Sequence, residues 1–410
     1  MKSIRDIYKV GMGPSSSHTM GPAAAAKLFK GEHPDAVSFK VILYGSLSKT
    51  GRGHGTDKAL KTSLGPKETE VIFSNEDPED MKHPNTMDLI ALDASGTETD
   101  RMRVYSIGGG DIRVEGRSDV ADSATEDIYP ENSFAEIKQF CEFRYIDPVE
   151  YITINEGPEV WDFLGDIWET MKKSIREGLE AEGILPGGLN IMRKAKLLYN
   201  QTLETDHPEV IECQKVSSYA YAVSEQNADN GIIVTAPTCG SCGVLPAVMY
   251  YLQTKKQRED IEIIHALGVA GLIGELAKKN ASVSGAECGC QAEIGVACSM
   301  AAAATGQFFR YNLNQIEYAA EIALEHHLGL TCDPICGLVQ VPCIERNAVA
   351  AMRALNSANL AYFLSSTRRI SFDMVLKSMY RTGQDLNRKY RETSEGGLAA
   401  AYSRRAGIGS

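Results

Sequence analysis

No stretch of this chain approaches the roughly eighteen uncharged apolar residues that a membrane-spanning helix needs. The most apolar run, residues 294–304, is short and rich in alanine. Basic runs are missing as well. With 42 Lys and Arg against 54 Asp and Glu, a formal charge of −12, nucleic acid or an anionic membrane would find no electrostatic footing. Small molecules are the expected ligands. The first ten residues mix Lys2, Arg5, Asp6 and Lys9 with apolar side chains, which is neither a signal-peptide core nor an amphipathic transit segment, so the expected location is the cytoplasm. Internal repeats and low-complexity tracts are lacking too, which disfavours a solenoid or a linker protein.

What the chain does have is length and thiols. Its 410 residues, 43% of them apolar, are enough for a large core spread over two or three domains. Ten cysteines in a cytoplasmic chain of this size point to metal or redox use rather than to structural disulfides. Cys141 and Cys213 stand alone. The other eight, Cys239, Cys242, Cys288, Cys290, Cys298, Cys332, Cys336 and Cys343, crowd into about a quarter of the sequence.

The pattern changes character along the chain. A helical, Ala-rich stretch at 20–29 is followed by Val37, Phe39, Val41 and Leu43 at period two, the mark of a strand, and further strands are expected at 71–73, 87–92 and 102–107. After Pro130 long helical patterns take over, at 160–179, 210–225, 244–252, 261–278, 294–305, 316–327 and 343–355. The expected fold is α+β, with a small N-terminal α/β domain over 1–130 and a larger, nearly all-α catalytic domain over 131–410. Gly-, Pro- and Cys-bearing loops at 235–243, 284–290 and 330–342 lie between the helices, where ligands and catalytic groups tend to collect.

Three constellations bear on chemistry. Gly11 to Thr19 is a Gly/Ser loop opening a helix, and three consecutive serines, Ser15, Ser16 and Ser17, followed by His18 and Thr19 exceed what an N-cap requires, which favours carboxylate binding. Among the eight histidines, His54 sits in Gly51-Arg52-Gly53-His54-Gly55, where flanking glycines let backbone and substrate approach the ring. His83, His326 and His327 are closer to ordinary surface or core histidines, as are His33, His207 and His265. The third group is Cys290, Cys332 and Cys343, separated by 41 and 10 intervening residues, a spacing unlike paired zinc motifs. Cys332-Asp333-Pro334 and Pro342-Cys343 instead place thiols beside prolines, as cluster ligands often are. Three thiolates would leave one iron of a four-iron cluster open as a Lewis acid.

At these residues the sequence resembles the iron–sulfur L-serine dehydratases over nearly its whole length. The resemblance is carried by Lys9 to Thr19, by Tyr44-Gly45-Ser46-Leu47-Ser48, by Thr235-Ala236-Pro237-Thr238 and by Ser284-Gly285-Ala286-Glu287. It continues through the Cys290 segment, Leu328 to Pro334, Gln340 to Asn347 and Tyr390-Arg391-Glu392-Thr393-Ser394. It implies a [4Fe-4S] cluster held by Cys290, Cys332 and Cys343, with His18, His54 and His83 facing the active site and His54 the candidate to take the Cα proton of L-serine. The Ser15–Ser17 loop would help to hold the substrate, and a homodimer is implied. The open iron would hold the serine hydroxyl, and the products would be pyruvate and ammonia.

The chain departs from that pattern in three ways. Some single-chain relatives end in a cysteine that folds onto the fourth iron, whereas no cysteine follows Cys343 here, so water or substrate is expected on that iron unless Cys239, Cys242, Cys288, Cys336 or the carboxylate of Ser410 reaches it. The stretch between His54 and His83 is shorter than in longer relatives. Cys239, Cys288 and Cys336 add thiols near the expected ligands. Two rival readings compete with this one. Ser38-Phe39-Lys40 with Gly108-Gly109-Gly110 faintly resembles a pyridoxal-phosphate dehydratase, and Cys239-Gly240-Ser241-Cys242 would suit a non-catalytic redox or iron sensor.

Overall fold

In the computed structural model, which describes residues 1–117, 127–202, 204 and 207–406, period-two burial builds the first sheet. Its N-terminal portion contains strands β1 (Val10–Met12), β2 (Ser38–Leu43), β3 (Glu68–Phe73), β4 (Thr86–Leu92), β5 (Glu98–Gly108) and β6 (Asp111–Val114), with helices α1 (Gly21–Glu32), α2 (Gly45–Thr50) and α3 (Thr56–Leu64). Phe39, Val41 and Leu43 are buried while their neighbours Ser38, Lys40 and Ile42 are partly exposed. Five strands form one sheet in the order β3-β2-β4-β5-β6. Only the β2–β3 pair is parallel, with Phe39 opposite Thr69; on its other side β2 runs antiparallel to β4, with Phe39 opposite Ala91. Ala25, Ala26 and Phe29 from α1 and Leu60 and Leu64 from α3 close over the apolar face. The sheet is therefore one-sided, as an antiparallel-rich sheet can be.

The remainder is helical: α4 (Phe134–Arg144), α5 (Pro148–Glu156), α6 (Val160–Glu180), α7 (Ala195–Asn200) and α8 (Pro208–Ala228), then a short strand β7 (Ile232–Val234). It continues with α9 (Val244–Lys256), α10 (Asp260–Asn280), α11 (Gly285–Cys288), α12 (Val296–Phe308) and α13 (Leu313–Glu325), and ends with α14 (Cys343–Leu364), α15 (Phe372–Asp385) and α16 (Gly397–Ala406). The alanine-rich run is the centre of this body. In α12 nearly every residue is buried, because α9, α10, α13 and α14 pack around it, and small side chains allow that approach from all sides. The fold is α+β, as the sequence implied. Helices α3, α4, α5, α7 and α15, strand β6 and the β1–β7 pair are not among the elements expected from the pattern; most are short, but α15 has 14 residues.

The chain start is bound to the helical body. Ile4 and Ile7 are buried, the Tyr8 hydroxyl donates to Leu267 O at 2.6 Å, and β1 pairs antiparallel with β7, Val10 opposite Val234. The segment after α15 returns to the middle of the molecule. Cys332 N donates to Tyr390 O (2.8 Å), Glu392 N donates to Cys332 O (2.7 Å), and Ser46 Oγ donates to Glu392 O (2.6 Å). Three distant stretches thereby meet at one seam.

Close helix packing is testable at Gly178 of α6, where a Cβ would overlap the backbone carbonyl of Ala222 in α8. Gly178→Ala should lower stability by about 1–3 kcal/mol, since overpacking outweighs the gain in helix propensity. At Gly165 of the same helix a Cβ would meet only Ile264 Cδ1 at an ordinary 3.7 Å. Gly165→Ala should therefore be neutral or stabilising. Urea midpoints that fail to separate the two variants would contradict this packing.

Candidate functional site

The loop before α1 turns on its serines. Ser15 Oγ accepts from His18 N at 3.0 Å and starts the helical turn Ser16–Met20. This buries His18 completely and hydrogen-bonds both ring nitrogens, Nδ1 to Ser17 Oγ (2.9 Å) and Nε2 to Ser46 Oγ (3.0 Å). Because the Ser46 hydroxyl already donates to Glu392 O, it must accept from His18 Nε2–H, which leaves Nδ1 as the acceptor for the Ser17 hydroxyl.

His54 lies in the turn between α2 and α3. A Cβ on Gly53 would collide with the carbonyl oxygens of Cys336 and Gly337, so only glycine lets the cysteine-bearing loop come this close. Each histidine's backbone is tied by a threonine from the other's segment: Thr19 Oγ1 donates to His54 O (2.9 Å), and Thr56 Oγ1 donates to His18 O (2.6 Å). The rings stand 4.5 Å apart between centroids. Glu392 Oε1 lies 3.4 Å from His18 Nδ1 and 3.9 Å from His54 Nε2, while His54 Nδ1 and Glu392 Oε2 are buried with no hydrogen-bond partner among the described residues.

Burial dominates the electrostatics. It lowers the His54 pKa to about 4, and it holds His18 well below the usual imidazole range with help from the neighbouring His54. Burial also pushes the Glu392 carboxyl well up, aided by Glu293 and Cys290. Burial thus favours the uncharged form of both rings and of this acid.

Across the seam Cys290, Cys332 and Cys343 line one recess with His54, Ser15, Glu293 and Glu392. All three thiols are free of disulfides. Ligand atoms of Cys290, Cys332 and Glu293 lie within 4.8 Å of one another. The Cys290 thiol falls to about 6, first because Cys332 hydrogen-bonds to it and then because the Arg346 guanidinium faces it. Arg346 sits one helical turn after Cys343 and is held by Thr331 O at 2.8 Å. Glu293 is pushed up to about 8 by burial and by Cys290.

Of the residues singled out in the sequence, the structure brings His18, His54 and Ser15 together with the three cysteines. Ser16 and Ser17 are buried behind them, Ser17 spent on His18, and Thr19 lines a different cavity. His83 is not in the recess. Asn85 N donates to its Nδ1 (3.1 Å) and its Nε2–H donates to Glu287 (3.1 Å), inside a separate cavity with Arg391 and Thr393. Glu392, Glu293 and Arg346 received no role from the sequence. Each lies inside a motif segment, yet only their burial around the thiols sets them apart from other charged residues.

The rival features have quieter environments. Lys40 faces Glu70 at 3.7 Å on the half-exposed side of the sheet. Cys239, Cys242 and Cys288 are buried, which pushes their thiols up as it does those of Cys332 and Cys343, but unlike those two they do not line the recess. Cys336 is exposed. Gly407 to Ser410, including the terminal carboxylate considered as an iron ligand, lie outside the described residues. Among the described residues no helix is long and apolar enough to cross a membrane.

Comparison with known proteins gives this geometry a context. A family model described as serine dehydratase alpha chain matches residues 69–399, and one described as serine dehydratase beta chain matches residues 3–72. The chain is 41% identical to L-serine dehydratase of Haemophilus influenzae over 451 aligned positions, covering 97% of this chain and 99% of that protein. It is 39% identical to L-serine dehydratase 2 of Escherichia coli (97% and 98% covered) and 36% identical to L-serine dehydratase of Helicobacter pylori (97% and 98% covered).

Buried neutral imidazoles make stability depend on pH. His54 and His327, the latter also held near 4 by burial, bind a proton in the folded state only near pH 4, whereas an unfolded histidine does so near its usual value of about 6.5. Below about pH 6.5 the unfolded chain holds the extra protons, so stability falls as pH drops toward 4, by up to about 1.4 kcal/mol per pH unit for each ring. Above pH 7 these groups contribute no slope. His327→Gln should flatten the acid-side decline in urea midpoints between pH 7.5 and 5.5. An equally steep decline in the variant would show that its neutral ring is not a cause.

Proposed function

The chain belongs to the serine dehydratase family, and from that premise we propose that it converts L-serine to pyruvate and ammonia in the recess between His54 and the three cysteines. One observation carries the assignment of the site: an uncharged imidazole whose Nδ1 has no partner among the described residues shares a small recess with three free thiols.

The donor set suits an iron–sulfur group. Three unpaired thiols converge, one of them with a lowered pKa, and a guanidinium stands beside them to offset thiolate charge. Cys290, Cys332 and Cys343 would hold a [4Fe-4S] cluster, with Glu293 the nearest additional carboxyl. Bound there, such a cluster supplies an iron with an open coordination position, a Lewis acid for a departing hydroxyl.

The remaining steps belong to the chain's own residues. His54 is the group placed to take the Cα proton, since both nitrogens of His18 are engaged by Ser17 and Ser46. Burial disfavours imidazolium at His54, and the same burial pushes the neighbouring Glu392 carboxyl up, away from the carboxylate that would favour it. Ser15 and the turn it caps offer the substrate polar groups at the wall of the recess. Removal of the proton and the β-hydroxyl releases water and leaves aminoacrylate, which tautomerises to an imine. Water hydrolyses the imine to pyruvate and ammonia without further catalysis. The family resemblance adds a cytoplasmic homodimer to this reading, and sedimentation of the purified protein measures the dimer directly.

An anaerobic assay decides the central statement. Protein purified without air should contain iron and acid-labile sulfide and form pyruvate from L-serine; iron-loaded protein that forms none overturns the reading. Cys290→Ser, Cys332→Ser and Cys343→Ser should each lose both the cluster absorbance and turnover, whereas Cys213→Ser should keep them. His54→Ala should keep its iron and lose about 10²- to 10⁴-fold in turnover, the range for a positioned base. Undiminished deuterium exchange at Cα in that variant would move the base to another residue.

A further inference from the structure

Two more cavities open beside His54. One, of about 330 Å³, is lined by Arg52, His54, Lys58, Pro186 and Cys336 among others. The other, of about 590 Å³, carries Lys27 and Lys58 over an apolar floor that includes Met12 and Ala23. Gly55, Lys58 and Asn230 belong to both, so they form one continuous cleft. Pro14 and His54 belong both to this cleft and to the cysteine recess, which puts His54 at the threshold between outside and inside.

The charges along this cleft run against the rest of the molecule. The chain has 54 acidic residues and a net charge of −12, yet among the described residues no carboxylate lines either cavity, while Lys27, Lys58 and Arg52 do. Among the described residues none of these three side chains has an ion-pair or hydrogen-bond partner. Arg52 lies over the Phe73 ring at 4.2 Å, which orients it without neutralising it. Elsewhere Lys82 and Lys196 are paired with glutamates, whereas among the described residues Lys61 and Lys377 stand unpaired but apart from one another, so the gathering of unpaired cations at one opening, more than any single one, marks the cleft. Unpaired cations gathered at one opening, with like charge kept out, focus the field on an approaching anionic group.

We propose that this cleft is the route by which the substrate reaches His54, and that Arg52 and Lys58 capture its carboxylate on the way. The inference rests on the proposed reaction and extends it. L-Serine is a zwitterion, so two cations cannot attract it strongly by net charge; they orient it, carboxylate toward the wall and ammonium trailing. Pyruvate is a true anion, so the same residues should retain the product.

Kinetics read this directly. Arg52→Gln and Lys58→Gln should each raise KM about 3-fold, and together about 10-fold, because exposed charge pairs are individually weak. kcat should stay within about 2-fold, and both pyruvate inhibition and the loss of kcat/KM with added salt should weaken in parallel. Lys173→Gln, a variant of a lysine 70% exposed on α6, serves as the reference and should change none of these. A structural role for Arg52 or Lys58 would lower kcat instead and leave the salt dependence alone.

A second measurement needs no turnover. Cys336 is exposed in the cleft and Cys213 is exposed on α8, so alkylation of the intact holoenzyme by iodoacetate and by iodoacetamide compares an anionic with a neutral probe at both. The rate ratio of iodoacetate to iodoacetamide should be higher at Cys336 than at Cys213, and should fall in the double variant. Unchanged KM, salt dependence and alkylation ratio in the double variant would overturn the capture role even if the wild type forms pyruvate. A wild type that forms no pyruvate would overturn the reaction itself, while the alkylation ratio would still report whether the cleft gathers anions.

Discussion

Exclusion of water at the seam is the constraint on which the arrangement depends. Charge cannot be left isolated in such a place, so every ionisable group there has either shed its charge or found a partner. Burial lowers the pKa of His18 and His54 and raises that of Glu392, each toward its uncharged form, and the low-pKa thiol of Cys290 faces a guanidinium. A base that is free at neutral pH and a set of soft donors follow from the same desolvation.

The architecture divides this labour between two kinds of scaffold. Helical ends and loops of the larger body carry the thiols, because the start of α14 and the turns around 290 and 332 are anchored by helices packed on α12. The sheet-bearing part carries the imidazoles on turns. Neither loop is rigid by itself, and the paired threonine-to-carbonyl bonds between the His18 and His54 segments supply what secondary structure does not. Glu392 arrives from a third direction, held by main-chain bonds to Cys332, so its side chain is placed by backbone pairing rather than by its own contacts.

Much of the fold could be read from the sequence, because long periodic segments declare themselves. The stretches 160–179, 261–278 and 343–355 all lie within helices that the structure extends by a few residues or a turn or two. Short elements could not be read. β1 and β7 have three residues each and exist only because they pair with one another. At the site, rare residue types in unusual settings were legible: cysteines near prolines, a histidine among glycines, a triple serine. Glu392, Glu293 and Arg346 were not, since glutamate and arginine are ordinary surface residues until burial distinguishes them. His83 shows the converse difficulty, because its neighbours in sequence do not reveal that Glu287, 204 positions away, claims its ring.

The close approach of Gly53 to the carbonyls of Cys336 and Gly337 also bears on how the molecule is made. These partners are nearly three hundred positions apart, and Val10 waits for Val234 to complete its ladder. Contacts of such sequence separation form late and slowly, because loop closure precedes any reward from the contact. The helical body can gather around α12 from neighbouring segments, but the histidine turns have nothing to rest on until residues 332–343 and then Glu392 have left the ribosome. Assembly of the reactive centre thus follows the gathering of the helical body, and the thiols and the base meet only once both scaffolds are in place.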